Sequence, residues 1–326
     1  MLSRRQFLGA TLAGSAAYAA GAFVPAWAQN APNLGTPTLP TPGFRRMKMG
    51  DVEVISFIDG IARRPLGEEF VKNAPLAEVR ALLASQGLPT EYIDIPFTPF
   101  LVVAGNRRIL MDAGLGEFGG ATTGKLLANM AAAGFQPADI DTVLITHYHG
   151  DHIGGLRNKA GEFVFAKAKV MVPAPEHAFW MDDAKMAAAP EAMKGGFNNV
   201  RRVFAQMPAD MLVRFEPGSE VVPGIRSVAA FGHTPGHTLF EVSSAGQMFS
   251  YVGDVTNVPA LFARNPDWAV SFDMDAEAAR QSRRATLERI KAANAMIGGY
   301  HFPFPAFGRV VAAGQGYDFQ PVQAAA

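Results

Sequence analysis

His147-Tyr148-His149-Gly150-Asp151-His152 follows directly on the apolar run Thr142-Val143-Leu144-Ile145-Thr146, and the fold and chemistry of the chain are read outward from it. Three of the seven histidines and one aspartate fall within these six residues. Residues i and i+2 of an extended segment project to the same side, so His147 and His149 can grip one cation together. The chain then turns at Gly150, which lets Asp151 and His152 swing back toward a second cation about 3.5–4 Å away.

One cluster does not complete two cation sites, so further ligands are expected at other strand ends. Phe231-Gly232-His233-Thr234-Pro235-Gly236-His237-Thr238 follows an apolar strand and is shaped into a tight loop by its glycines and proline. Spacing alone does not decide between His233 and His237. Met248-Phe249-Ser250-Tyr251-Val252-Gly253-Asp254 reads as a strand that ends on a carboxylate, and Gly298-Gly299-Tyr300-His301-Phe302-Pro303 places a histidine in a constrained turn. The chain has no cysteine, which excludes disulfides, thiolate ligands and a cysteine nucleophile. Imidazole and carboxylate remain, a set that suits Zn, Mn, Fe or Co.

At 326 residues and 49% hydrophobic content the chain can bury a sizeable core. Ser3-Arg4-Arg5-Gln6-Phe7-Leu8 is a twin-arginine signature, followed by an Ala/Gly-rich apolar stretch and by Ala26-Trp27-Ala28, a small-x-small cleavage pattern. The expectation is a signal peptide over residues 1–28, periplasmic or secreted localisation, and no membrane contact after cleavage. Residues 1–28 carry Arg4 and Arg5 and no acid, which leaves 27 basic and 29 acidic side chains and a net charge of −2. A near-neutral chain lacks the basic footprint of a nucleic-acid binder.

Residues 29–43 are rich in Pro, Thr, Asn and Gly and read as an extended arm or linker; residues 44–326 read as the catalytic body. Strands are expected over Met47–Phe57 with a hairpin at Gly50-Asp51, over Phe100–Val103 and Arg108–Met111, and over Ile140–Thr146 and Val164–Val172. More follow over Val228–Phe231, Thr238–Ser243 and Met248–Val252. Helices are expected over Leu76–Gln86, Gly124–Ala133 and Glu176–Lys185. Met193–Gln206 reads as a helix that Gly195-Gly196 interrupts and makes mobile. Asp275 is placed to N-cap a long helix over Ala276–Ala295. Two batches of strands, each joined to helices, predict an α/β protein in which two mixed sheets pack together with helices outside, an αββα sandwich.

The markers Asp112-Ala113-Gly114, His147-x-His149-x-Asp151-His152, Gly232-His233-Thr234-Pro235-Gly236-His237, Gly253-Asp254 and His301-Phe302-Pro303 resemble those of metallo-β-lactamase-fold hydrolases. Over Phe44–Val322 the chain is similar, within that superfamily, to the methyl parathion hydrolase group. That resemblance implies that His147, His149 and His233 bind one metal, that Asp151, His152 and His301 bind a second, and that Asp254 bridges both. Two divalent ions follow, zinc first, with manganese, iron or cobalt compatible. The same resemblance makes Asp112 and His237 residues that orient the ligands, and gives Phe118, Trp180 and Phe197 as an aromatic substrate pocket. His177 reads as a surface residue. A homodimer is implied more weakly.

Two cations sharing a water lower its pKa toward neutrality, so hydroxide is available for attack on a carbonyl or phosphorus centre. Asp254 and Asp151 are then the catalytic carboxylates, one fixing the metal spacing and one orienting the hydroxide. No Gly-x-Ser-x-Gly elbow is present. The expected substrate is a small neutral ester, either a phosphotriester or a lactone. A β-lactamase is disfavoured, because no Lys or Arg flanks the Gly232–Thr238 loop to hold a carboxylate. The alternatives are a non-catalytic or mononuclear metal protein of the same fold, or a thioesterase-type hydrolase. A redox di-iron member of the superfamily would carry glutamate where this chain has His149.

Overall fold

Turn chemistry and alternation build the first sheet from its amino-terminal edge. Strands β1 (Phe44–Met49) and β2 (Val52–Phe57) pair antiparallel across the turn Gly50-Asp51, with Met49 opposite Val52. The computed structural model describes residues 34–322; the signal-peptide reading lies outside the described residues. Residues 34–43 form an extended arm against the body, where Pro37 and Gly43 are buried. The Arg63 guanidinium donates to the Leu34 carbonyl.

A separate two-stranded ribbon comes next, β3 (Gly60–Pro65) with β4 (Tyr92–Phe97), around helix α1 (Leu76–Ser85). Strands β5 (Phe100–Ala104), β6 (Arg107–Met111), β7 (Thr142–Leu144), β8 (Lys169–Pro173) and β9 (Leu212–Phe215) complete the first sheet. Its order is β1-β2-β5-β6-β7-β8-β9, and the pairs from β6 to β9 are parallel. Helices α2 (Leu126–Ala132), α3 (Gly150–Ile153), α4 (Ala174–Trp180), α5 (Asp183–Ala188) and α6 (Glu191–Phe204) belong to this half.

The second sheet runs in chain order: β10 (Glu220–Val222), β11 (Ile225–Ala229), β12 (Thr238–Ser244), β13 (Gln247–Tyr251), β14 (Met296–Gly298), β15 (Phe307–Ala313) and β16 (Gly316–Pro321). It is antiparallel except at β13 and β14, which are parallel because α7 (Pro259–Phe262) and α8 (Ala276–Ala292) form the crossover. Asp275 caps α8 by accepting from the amides of Glu277 and Ala278.

Period-two alternation separates two cores. Val54, Val102, Ile109, Met111 and Leu144 point between the sheets, where they meet Phe240, Val242, Phe249, Ile297 and Phe307. Their neighbours Ile55, Leu101, Leu110 and Val143 point outward, against Leu126, Met130, Phe197, Val200 and Phe204 of the helices. Leu287 and Ile290 of α8 join the core on the second sheet. Phe100 sits at the joint between the sheets, with ring centroids 5.1–5.5 Å from Tyr251, Phe307 and Phe249. The layering is therefore αββα.

Several element boundaries differ from expectation. The strand expected over Val164–Val172 begins only at Lys169, where its parallel partner Thr142 begins. Glu176–Lys185 is two helices, since Asp182 breaks the run and caps α5 by accepting from the Lys185 amide. Gly195-Gly196 does not interrupt α6: the helix is continuous, and a Cβ on Gly196 would lie 3.2 Å from Trp180 Cζ3, so the bare backbone makes room for an indole. The sequence reading missed β3, β4, β9, β10, β14, β15 and β16; β14 is only three residues long.

Candidate metal centre

Parallel strands deliver their carboxyl ends to one edge of a sheet, and loops at such an edge are where α/β proteins place ligands. Asp112 follows β6, His147 lies three residues beyond β7, Asp254 three beyond β13, and His301 three beyond β14. His233 lies in the β11–β12 connection, which is fastened to the first sheet by a hydrogen bond from the Thr238 amide to the Thr146 carbonyl.

These residues converge in two groups. His147, His149, His233 and Asp254 each offer one donor atom within 4.8 Å of the others, and Asp151, His152 and His301 do the same. The Asp254 carboxylate stands between them. Its Oδ2 lies 3.2 Å from His233 Nε2 and 3.0 Å from His301 Nε2, while its Oδ1 lies 3.2 Å from His152 Nε2.

Each imidazole is aimed by its other nitrogen. His152 Nδ1 is 2.7 Å from Asp112 Oδ2, His233 Nδ1 is 2.9 Å from Asp273 Oδ1, and His301 Nδ1 is 2.7 Å from the Pro96 carbonyl. The Thr146 hydroxyl donates to Asp112 Oδ2 and so accepts from His147 Nδ1 at 3.0 Å, which leaves the lone pair on Nε2. His149 is the exception, presenting Nδ1 toward His233 Nε2 at 3.0 Å. Outward anchoring of one nitrogen and inward presentation of the other is the arrangement of metal-ligating histidines.

The donor set fits divalent cations on a second count. His147 Nε2, His152 Nε2 and Asp254 Oδ1 are buried and have no hydrogen-bond partner among the described residues. Buried polar atoms are almost always paired, so three orphans turned toward the two donor groups mark a place built for something else. Five imidazoles and two carboxylates match borderline N/O-seeking ions.

Charge balance agrees. Burial holds His147 well below its ordinary value and pulls His149 down to about 3, so both are neutral lone-pair donors. Burial acts the same way on His233 and His152, but carboxylates outweigh it. Asp254 and Asp273 push His233 up to about 9, and Asp151, Asp254 and Asp112 hold His152 well above its usual value. The site is thus rich in negative charge that bound cations would satisfy in place of those protons.

Around the ligands lies a layer that fixes them. Asp112 takes a left-handed backbone, φ 60°, and also accepts from the Thr146 amide and from the Tyr251 hydroxyl. His237 Nε2 accepts from the Asp254 amide at 3.1 Å, so it holds the carboxylate's backbone and does not sit among the converging donor atoms. Gly253 permits this contact, since its φ is +51° and a Cβ would fall 2.9 Å from His237 Nε2. Asp273 is itself held by Arg283, a fully buried guanidinium that also donates to the carbonyls of Val255, Pro266 and Trp268. Sequence reasoning missed Asp273 and Arg283. Asp273 does sit two residues before the helix-capping Asp275, in a loop where an unexplained carboxylate was visible.

A cavity of about 460 Å³ opens onto the centre. Asp151, Asp254, His149 and His301 form its floor, and Ile95, Phe97, Leu115, Phe118 and Phe272 its apolar walls. Phe118 lines it, with the Arg202 guanidinium 3.7 Å from its ring centroid. Trp180 and Phe197 do not line it. Trp180 donates Nε1–H to Glu176 and packs its ring 4.7 Å from Phe197, which is fully buried among the helices. Both are core because they stand on the inner faces of α4 and α6. His177 is half-buried rather than a simple surface residue, with Nδ1 2.8 Å from the Tyr148 hydroxyl. Arg64 and Asn199 bring polar groups to the cavity wall, and neither stood out in the sequence.

A sequence profile of the metallo-beta-lactamase superfamily matches residues 98–301, more than half of the chain. Among solved structures, the chain is similar to AidC, described as a dizinc quorum-quenching lactonase in complex with a hexanoyl-homoserine product. The two share 28% identity over 86% of this chain and 98% of that one, with a TM-score of 0.80. A second similar structure, the hydrolase AbOPH of the beta-lactamase superfamily, shares 26% identity over 87% and 99% of the respective chains, TM-score 0.82. A ribonuclease of Thermus thermophilus is 29% identical over 166 residues, 48% of this chain and 34% of that protein. The chain spans less than two thirds of the length of the curated relatives it matches.

Proposed function

The chain belongs to the metallo-β-lactamase superfamily, and from that premise we propose that it is a dinuclear metal-dependent hydrolase of small, largely apolar esters, with lactones as its first substrate class. The observation that carries the reading is the Asp254 carboxylate, which lies within 3.2 Å of histidines of both convergent donor groups on the floor of an aromatic-walled cavity. His147, His149 and His233 would hold one ion, Asp151, His152 and His301 the other, and Asp254 both. Divalent ions bound there supply Lewis acidity and a nucleophile competent at neutral pH.

The chain's own residues do the rest. Phe97, Phe118, Phe272, Ile95 and Leu115 desolvate an apolar acyl or aryl group and hold the ester over the floor. Asp151, whose side chain is 20% exposed and faces the cavity, is placed to take a proton from the attacking water and return it to the leaving alkoxide. Its backbone is fixed by the Tyr300 hydroxyl, which donates to the Asp151 carbonyl at 2.5 Å. One water adds across the ester, the acyl C–O bond breaks, and a lactone opens to a hydroxy acid.

Similarity to a lactonase at 28% identity over almost its whole length supports the lactone reading over the phosphotriester one. The test compares turnover of an acyl γ-lactone with that of a dimethyl aryl phosphorothioate by the metal-loaded protein, with a chelator-stripped control. Faster lactone opening is expected. Faster phosphorothioate cleavage would reverse the assignment, and no turnover of either with two metals bound would remove the ester reading. The twin-arginine segment supports the further proposal that the protein is exported after folding. Among the described residues no helix is long and apolar enough to cross a membrane.

A further inference from the structure

We propose that Glu176 is the positioning residue that ties the two histidine loops into one register and so sets His147 and His149 against His233. The inference rests on the metal-centre reading above. Glu176 is fully buried in the first turn of α4, outside both groups of converging donor atoms. Its Oε1 accepts from the Tyr148 amide at 2.9 Å, and Tyr148 lies between His147 and His149. Its Oε2 accepts from the Gly236 amide at 2.7 Å, and Gly236 lies in the loop that carries His233. The Trp180 indole donates a third bond, to Oε1 at 2.8 Å. One rigid carboxylate thus spans two loops from different sheets, 88 residues apart at Tyr148 and Gly236.

Two further features make the bridge specific. A Cβ on Gly236 would lie 2.2 Å from the Glu176 amide nitrogen and 2.6 Å from its Cα, so only glycine lets the second loop come this close. The Tyr148 side chain is fixed as well, stacked on Phe204 at 4.3 Å and bonded to His177. A buried carboxyl is costly unless it is hydrogen-bonded, and a packing role needs no carboxyl at all. Oxygens placed on the amides of both ligand loops are explained if the spacing between those loops matters. Residues that orient ligands from behind are worth roughly 10–100-fold in metal affinity.

The test measures zinc affinity by competition with a chromophoric chelator, together with thermal unfolding of the chelator-stripped protein. Glu176→Gln keeps the shape but turns an amide donor toward one of the two loop amides. Expected is a loss of zinc affinity of roughly 10–100-fold, a larger loss in Glu176→Ala, and no loss in Trp180→Phe, which spares both loop bonds. Lowered stability of the stripped Glu176→Gln protein with zinc affinity unchanged would reduce Glu176 to a packing role and overturn the inference alone. A wild-type protein that takes up no zinc would overturn both this inference and the metal-centre reading. Should the Glu176 variants not fold, hydrogen exchange on stripped wild-type protein decides: the Tyr148 and Gly236 amides must both be protected, and rapid exchange of either sinks the bridge.

Discussion

Asp112 Oδ2 lies 2.7 Å from His152 Nδ1, and both side chains are fully buried. The same carboxylate accepts from Thr146 and Tyr251, so one aspartate connects β6, the histidine loop and β13. Asp112→Asn replaces an acceptor by a donor facing His152 and spoils the tautomer that leaves Nε2 free. Zinc retained after dialysis against a chelator should fall by roughly 10–100-fold in affinity, with the first loss at the Asp151/His152/His301 group. Wild-type retention would show that the contact does not orient a ligand.

Asp254 and His149 differ in what their removal should do. Asp254 converges with His147, His149 and His233 and also lies 3.2 Å from His152 and 3.0 Å from His301 of the second group, whereas His149 belongs to the first group alone. Asp254→Ala is therefore expected to bind neither ion tightly, and His149→Ala to keep one. Elemental analysis of the two variants beside wild type checks this; equal metal content in both would mean that Asp254 is not shared.

Legibility divided along a physical line. The layering was readable because a strand buried on both faces is a near-continuous apolar run and one with a solvated face alternates, as Ile140–Thr146 and Met47–Phe57 do. The histidine cluster was readable because covalent neighbours two apart share a side of an extended chain. Asp273, Glu176 and Arg64 were not, since each gains its partner only when distant loops pack. Trp180 and Phe197 misled for a related reason. An aromatic on a helix serves equally as core or as cavity wall, and only the packing of α4 on α6 decides.

That distinction has a measurable consequence. Phe197 is fully buried and Phe118 is 40% exposed. Phe197→Ala should cost about 3–5 kcal/mol of stability by urea unfolding. Phe118→Ala should cost about 0.5–1 kcal/mol while raising KM for a hydrophobic ester. A large KM effect from Phe197 with stability intact would return it to the cavity.

Asp59 gives a pH signature outside the two groups of donor atoms. Its carboxylate accepts from the amides of Leu115 and Leu126, yet burial holds its pKa above the ordinary carboxylate value. The folded state thus binds this proton more readily than the unfolded chain does. The group's contribution is most favourable below the ordinary value near 4 and declines as pH rises through the folded value. Asp59→Asn lacks that slope. The difference in urea midpoint between wild type and variant should shrink as pH rises from 4 to 7; a growing difference would show the carboxylate to be favoured in its charged form.

On the function proposed above, two ions held on either side of Asp254 are both needed for ester hydrolysis. Chelator-stripped protein titrated with zinc, while the opening of an acyl γ-lactone is followed, tests it most directly. Activity is expected to recover fully only at two equivalents. Full recovery at one equivalent, or lactone opening by the stripped protein at the loaded rate, would contradict it.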